Sequence, residues 1–184
     1  MQRMALSQIT WQDVQQMPED GRRYEAIEGD LYVTAAPVLR HQRVGFRIGM
    51  ALHNLVEVAG HGIVFGRDVG VEFPMSEEGV IPDVVAVSNS RRGIVAQDWL
   101  HGAPDLVVEV LSPSTAHRDR GIKLRLYKRQ GVAEYWVVDH EARSVEVWRF
   151  GSDPDHERFT DRLSVRLGEE TLGEIDLAEI FRDD

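Results

Sequence analysis

No cysteine occurs among the 184 residues, which removes disulfides, zinc–thiolate sites and thiol nucleophiles together. No stretch approaches the roughly 20 apolar residues that a membrane-spanning helix needs. The first residues also lack the basic-then-apolar pattern of a secretory signal. A cytoplasmic protein with no membrane partner is the expectation. Lysine is scarce as well: only Lys123 and Lys128 occur, and the other 19 basic side chains are arginine. Where arginine is the general-purpose cation, a lysine points to a position that needs a compact ammonium. Positive charge is in deficit overall, with 31 acidic side chains against 21 basic ones and a net charge of −10. A nucleic-acid binder relying on bulk attraction would show the opposite balance, so local basic stripes and bound cations would have to serve instead.

What is present suffices for one hydrophobic core, since 42% of the residues are hydrophobic. Repeats, low-complexity runs and linkers are missing, so residues 1–184 read as a single domain with its core at about 24–150. Residues 10–17 suggest a short helix capped by Thr10 and stopped by Pro18. Residues 24–33 read as a hairpin turning at Gly29–Asp30. Apolar residues at helical spacing between His41 and Ala59 predict a helix ended by Gly60. Strands are expected at 62–67, 70–73, 80–88 and 105–112, with a turn-rich insertion at 89–104. A second helix follows at 115–130, closed by Gly131, and then strands at 134–139 and 144–150. The tail suggests one or two weaker strands and a short helix near 177–181. The order predicts an α/β fold, a central mixed sheet flanked by helices.

Two strands carry acids where hydrocarbon is expected. In residues 105–112 both faces are apolar, which marks a central strand covered on both sides, yet Glu109 shares a face with Val107 and Leu111. In residues 80–88, Asp83 falls in a row with Ile81, Val85 and Val87. One such carboxylate is commonly satisfied by an arginine or by backbone amides. Two on successive core strands repel, and a shared proton or a hard cation is the usual remedy. Projected at about 100° per residue, Ile122, Leu126 and Tyr127 span about 140° of the second helix, and Asp119 and Lys123 fall inside that arc. A solvated bridge with a snorkelling lysine is the ordinary reading of such a pair. The turn at Ser112–Pro113–Ser114 nevertheless returns the helix toward the end of Glu109's strand, so Asp83, Glu109 and Lys123 can converge.

Residues 24–31 (YEAIEGDL), His41, Pro82–Asp83–Val84, the run PDLVVEVLSPST at 104–115, Asp119, Lys123, Tyr127 and the run GVAEYW at 131–136 occur in one order. In this order the chain resembles the Uma-two family of endonucleases within the PD-(D/E)XK restriction-endonuclease-like superfamily, over residues 11–150. Pro82–Asp83 is similar to the superfamily's "PD" and Glu109 to its second acid. The lysine expected two residues later is replaced here by Leu111, which makes Lys123 its relocated counterpart. The resemblance implies Mg²⁺ or Mn²⁺ held by Asp83, Glu109 and the Val110 carbonyl, with Lys123 orienting or helping to deprotonate the attacking water. It also implies accessory roles for Glu25, His41 and Asp119, DNA as substrate, and a homodimer. A catalytically idle nucleic-acid-binding or assembly module, or a hydrolase of smaller phosphodiesters, are the alternatives. Arg40, Arg43 and Arg47 on one helix, and Arg118, Arg125 and Arg129 on the other, form stripes that could meet phosphates or the chain's own acids. Tyr135 and Trp136 are expected to pack in the core.

Overall fold

A computed structural model of the chain describes residues 8–36, 38–152, 155–168 and 170–182. The first half runs α1 (Trp11–Val14), β1 (Arg23–Ile27), β2 (Asp30–Thr34), α2 (Leu39–Leu52), β3 (Gly62–Phe65), β4 (Val71–Phe73), β5 (Glu78–Val80) and β6 (Val84–Ser88). The second runs β7 (Leu100–His101), β8 (Leu106–Val110), α3 (Ala116–Arg118), α4 (Leu124–Gln130), β9 (Glu134–Asp139), β10 (Ser144–Arg149), β11 (His156–Phe159), β12 (Arg162–Leu167), β13 (Glu170–Asp176) and α5 (Leu177–Phe181).

The main sheet has six strands in the order β11-β10-β9-β8-β6-β3, parallel only between β8 and β9. Period-two alternation explains why β8 lies inside it. Leu106, Val108 and Val110 face α2, whose Val44, Ile48 and Leu52 pack there with Leu163, Val165 and Ile175 of the β12–β13 hairpin. Val107 and Leu111 face the other way, against Leu126 and Tyr127 of α4 and Ile27, Val71 and Phe73 of a five-stranded sheet ordered β2-β1-β5-β4-β7. Both faces are covered, as an all-apolar strand requires. Trp136 is fully buried on the first side and Tyr135 on the second, both packing as expected.

The structure departs from the sequence reading in several places. Residues 80–88 do not form one strand: the chain leaves the small sheet at Val80 and enters the large one at Val84. Pro82 has no N–H to continue a ladder, and Asp83 N–H already bonds the Val108 carbonyl at 3.2 Å. Asp83 therefore stands at the seam between the sheets. The second helix is interrupted by a π-helical turn (Asp119–Lys123) between α3 and α4, and α2 continues into a similar turn (His53–Val58). The first helix is a single turn with a reciprocal Thr10–Asp13 capping box. The insertion supplies a 3₁₀ turn (Asn89–Ile94) and β7, which pairs in parallel with β4. The tail is richer than expected, giving three strands and α5, and it brings Leu163, Val165, Leu177 and Phe181 into the core. Gly79 is needed where it stands, because a Cβ there would lie 2.2 Å from the Trp11 ring. Among the described residues no helix is long and apolar enough to cross a membrane.

Candidate active site

Four elements bring charged side chains to one place. Along β1, Arg23, Glu25 and Ile27 share a face, while Tyr24 and Ala26 pack the other way against Trp11. Glu109 points from β8 to that same side, and Asp83 enters beside it because Val84 pairs with Val108. The helical segment places Asp119, Lys123 and Tyr127 at intervals of four, above β8 and β9. The inner face of α2 adds His41. All the residues singled out from the sequence, namely Asp83, Glu109, Lys123, Glu25, His41, Asp119 and Val110, line a single cavity of about 220 Å³. Each of these charged groups is 5% exposed or less.

The contacts are close. Lys123 Nζ lies 2.8 Å from Glu109 Oε1 and 2.8 Å from Glu25 Oε1. Tyr127 donates its hydroxyl to Glu109 Oε1 at 2.8 Å, and Ile81 N–H donates to Glu25 Oε1 at 2.9 Å. Asp83 accepts from Arg23 Nη1 at 2.7 Å and from Val110 N–H at 2.9 Å, and its Oδ2 lies 3.2 Å from His41 Nε2. Tyr135 holds the turn in place by donating to the Asp119 carbonyl at 3.1 Å.

The electrostatics divide the two central acids. Burial pushes the Asp83 carboxyl up, but His41, Arg23 and the Val110 amide outweigh it and hold the group well below the usual range. Burial pushes Glu109 up to about 8; Lys123 opposes this, and the carboxylates of Asp119, Asp83 and Glu25 add to it. Asp119 is raised for the same reasons. Lys123 stays protonated, because Glu109, Glu25 and Asp119 together overcome the cost of burying its ammonium. Four buried carboxylates thus surround one lysine and one arginine, and the cluster gains from further positive charge.

Two residues of the site were not singled out as such from the sequence. Arg23 lies two positions before Glu25 on the same strand, so period two alone puts both on one face. Tyr127 lies four residues after Lys123, on the same helical stripe. The basic stripes are largely spent on the protein itself. Arg129 clasps both carboxylate oxygens of Glu78 at 2.7 and 2.8 Å, and Arg118 donates to Thr34. Arg47 donates to the Ile180 and Arg182 carbonyls, and Arg40 comes within 3.6 Å of Glu141.

This geometry has known relatives. A family model described as "Putative restriction endonuclease", Uma2, matches residues 11–178. The chain belongs to the Uma2 family. Among curated proteins this Uma2 member is 25% identical over 166 residues to "Uncharacterized protein slr1290" of Synechocystis sp., covering 90% of this chain and 83% of that one. Among solved structures it is similar to "a putative nuclease belonging to DUF820" from Anabaena variabilis, with a TM-score of 0.76 and 19% identity over 94% of this chain and 97% of that one. At that identity the likeness concerns the fold, and it agrees with the restriction-endonuclease-like architecture expected from the sequence.

Proposed function

We propose that this chain is a metal-dependent endonuclease that hydrolyses DNA phosphodiester bonds. The observation that carries the reading is the meeting of Asp83, at the seam just before β6, with Glu109 of β8 in the wall of one open cavity, the Lys123 ammonium lying beside Glu109. Family membership supports it, since the Uma2 description names a restriction endonuclease.

The residues fit a hard dication in kind. Carboxylate and carbonyl oxygens are what Mg²⁺ and Mn²⁺ prefer. Val110 N–H points at Asp83, and a strand residue sends its N–H and carbonyl out along the same edge, so the Val110 carbonyl is directed toward that carboxylate. Among the described residues, no three His, Asp or Glu side chains stand in ligating geometry as drawn. The two acids are occupied instead by the cations Arg23 and Lys123, with the His41 ring beside Asp83. Asp83, Glu109 and the Val110 carbonyl would hold it. When bound, the ion lowers the pKa of a water and offsets phosphate charge.

The chain's own groups do the remaining work. Lys123, kept protonated, donates toward the attacking water and the charge that builds on the phosphate, and acts as an electrostatic stabiliser rather than a base. Glu25 and Glu109 fix its direction from either side. Tyr127 holds Glu109 in one rotamer. Glu25, His41 and Asp119 complete the wall in accessory roles. Residues 31–56 contain no acid in a chain that has 31 of them, so α2 offers the least repulsive approach for a polyanion. Two copies of the chain would let both strands be cut, and a cytoplasmic homodimer is part of this reading.

Incubation of plasmid with purified protein and Mn²⁺ or Mg²⁺ tests it. Nicking or linearisation that disappears in both Asp83→Asn and Lys123→Met is the expected result. The neutralisation of both acids by internal cations favours a second reading, an idle binding or assembly module. DNA binding without cleavage, unchanged in those variants, would establish that reading instead. Turnover confined to small phosphodiesters would move the substrate class.

A further inference from the structure

Arg23 makes only part of the hydrogen bonding it is built for. Its Nη1 donates to Asp83 Oδ1 at 2.7 Å, whereas Nε and Nη2 are buried and have no hydrogen-bond partner. Asp68, 70% exposed, approaches Nε only to 3.6 Å, beyond hydrogen-bond reach. The side chain is 12% exposed and lines the cavity. Buried donors are almost always filled, and an orphaned pair invites a missing acceptor. The two atoms are also not scattered. Nε–H and one Nη2–H lie parallel along a single edge of the planar guanidinium, the fork that receives two oxygens of a carboxylate or phosphate.

Resting on the endonuclease reading, we infer that this edge of Arg23 seats two non-bridging oxygens of the substrate's phosphodiester. Nη1 remains on Asp83, so the same guanidinium ties the bound phosphate to the acid proposed to hold the cation. A lysine could neutralise Asp83 equally well but has no second edge to offer. Four carboxylates line or adjoin the cavity and disfavour free anions, so the site selects a phosphate that arrives with a divalent cation.

Arg23→Lys separates the two duties, since it keeps a cation beside Asp83 and deletes the fork. The assay is anisotropy of a labelled DNA duplex in Ca²⁺, chosen to permit binding without turnover, together with the melting temperature of each protein in Mg²⁺ with and without millimolar inorganic phosphate. The expected results are DNA binding at least about tenfold weaker in Arg23→Lys, and a phosphate-induced rise in melting temperature seen in the wild type alone. Equal DNA affinity with an equal phosphate response in both proteins would overturn the inference. If the wild type binds no DNA, the endonuclease reading fails, and the phosphate arm decides alone. A rise confined to the wild type supports the Arg23 edge, and an equal or absent rise refutes it.

Discussion

The β8–β9 pair carries buried acids at both ends, and the two ends are built differently. At the N-terminal end, Glu134 accepts from Arg149 at 2.8 Å and from the Trp136 indole, while Asp105 accepts from the Ser88 amide at 2.7 Å and lies 3.4 Å from Arg91. Each acid there has an arginine of its own. At the C-terminal end, Glu109 and Glu25 share the single ammonium of Lys123, and Asp83 and Asp119 crowd the same space. The first end neutralises its acids one by one and reads as architecture. The second leaves negative charge in surplus next to a cavity. A fold carries such a cost where function requires it.

The largest contrast expected is in activity. Lys123→Met should lower DNA cleavage by about 10²–10³-fold or more and leave far-ultraviolet circular dichroism unchanged. Arg149→Met should leave cleavage per folded molecule intact, so a comparable loss of activity there would break the distinction between the ends. Stability should run the other way. Arg149→Met strands a buried Glu134, and denaturant titration should show a loss of about 3–5 kcal/mol. Glu109→Gln relieves burial and like-charge repulsion, so it should gain about 1 kcal/mol while abolishing cleavage. A variant that instead loses stability would mean that Glu109 is a structural acid like Glu134.

The smallest effect is a slope with pH. Glu109 ionises near 8 in the folded chain and near 4.5 when unfolded. Between those values the folded state holds a proton that the unfolded state has released, so its contribution to stability is full below about 4.5 and is lost as pH rises through 8. Denaturation in EDTA at pH 5, 6, 7 and 8 should show this decline, flattened in Glu109→Gln. An unchanged slope in the variant would assign the effect to other groups.

Much of this was legible in the sequence, because burial leaves a periodic mark. The doubly apolar run around Glu109 could only be a covered central strand, and the rarity of lysine singled out Lys123. Other features were hidden for identifiable reasons. A π turn and an α turn have the same composition, so the break at Asp119–Lys123 left no trace. Residues 80–88 share one apolar pattern throughout, so their division between two sheets around Pro82 did not show in it. Arg23 looked like one arginine among 19, and only its phase with Glu25 places it in the cavity. The β12–β13 hairpin was under-read because Arg162, Arg166, Glu170 and Glu174 dilute a pattern whose buried positions are Leu163, Val165, Leu167 and Ile175.

On the proposed reading, a divalent ion bridges the crowded acids at the end of β8 and offsets their repulsion during function. Calorimetric titration of Mn²⁺ into metal-free protein addresses it without any substrate. Saturable binding in the wild type, with proton release and loss of the heat signal in Asp83→Asn, is the predicted outcome. Binding of equal strength in Asp83→Asn, or none in the wild type, would contradict it.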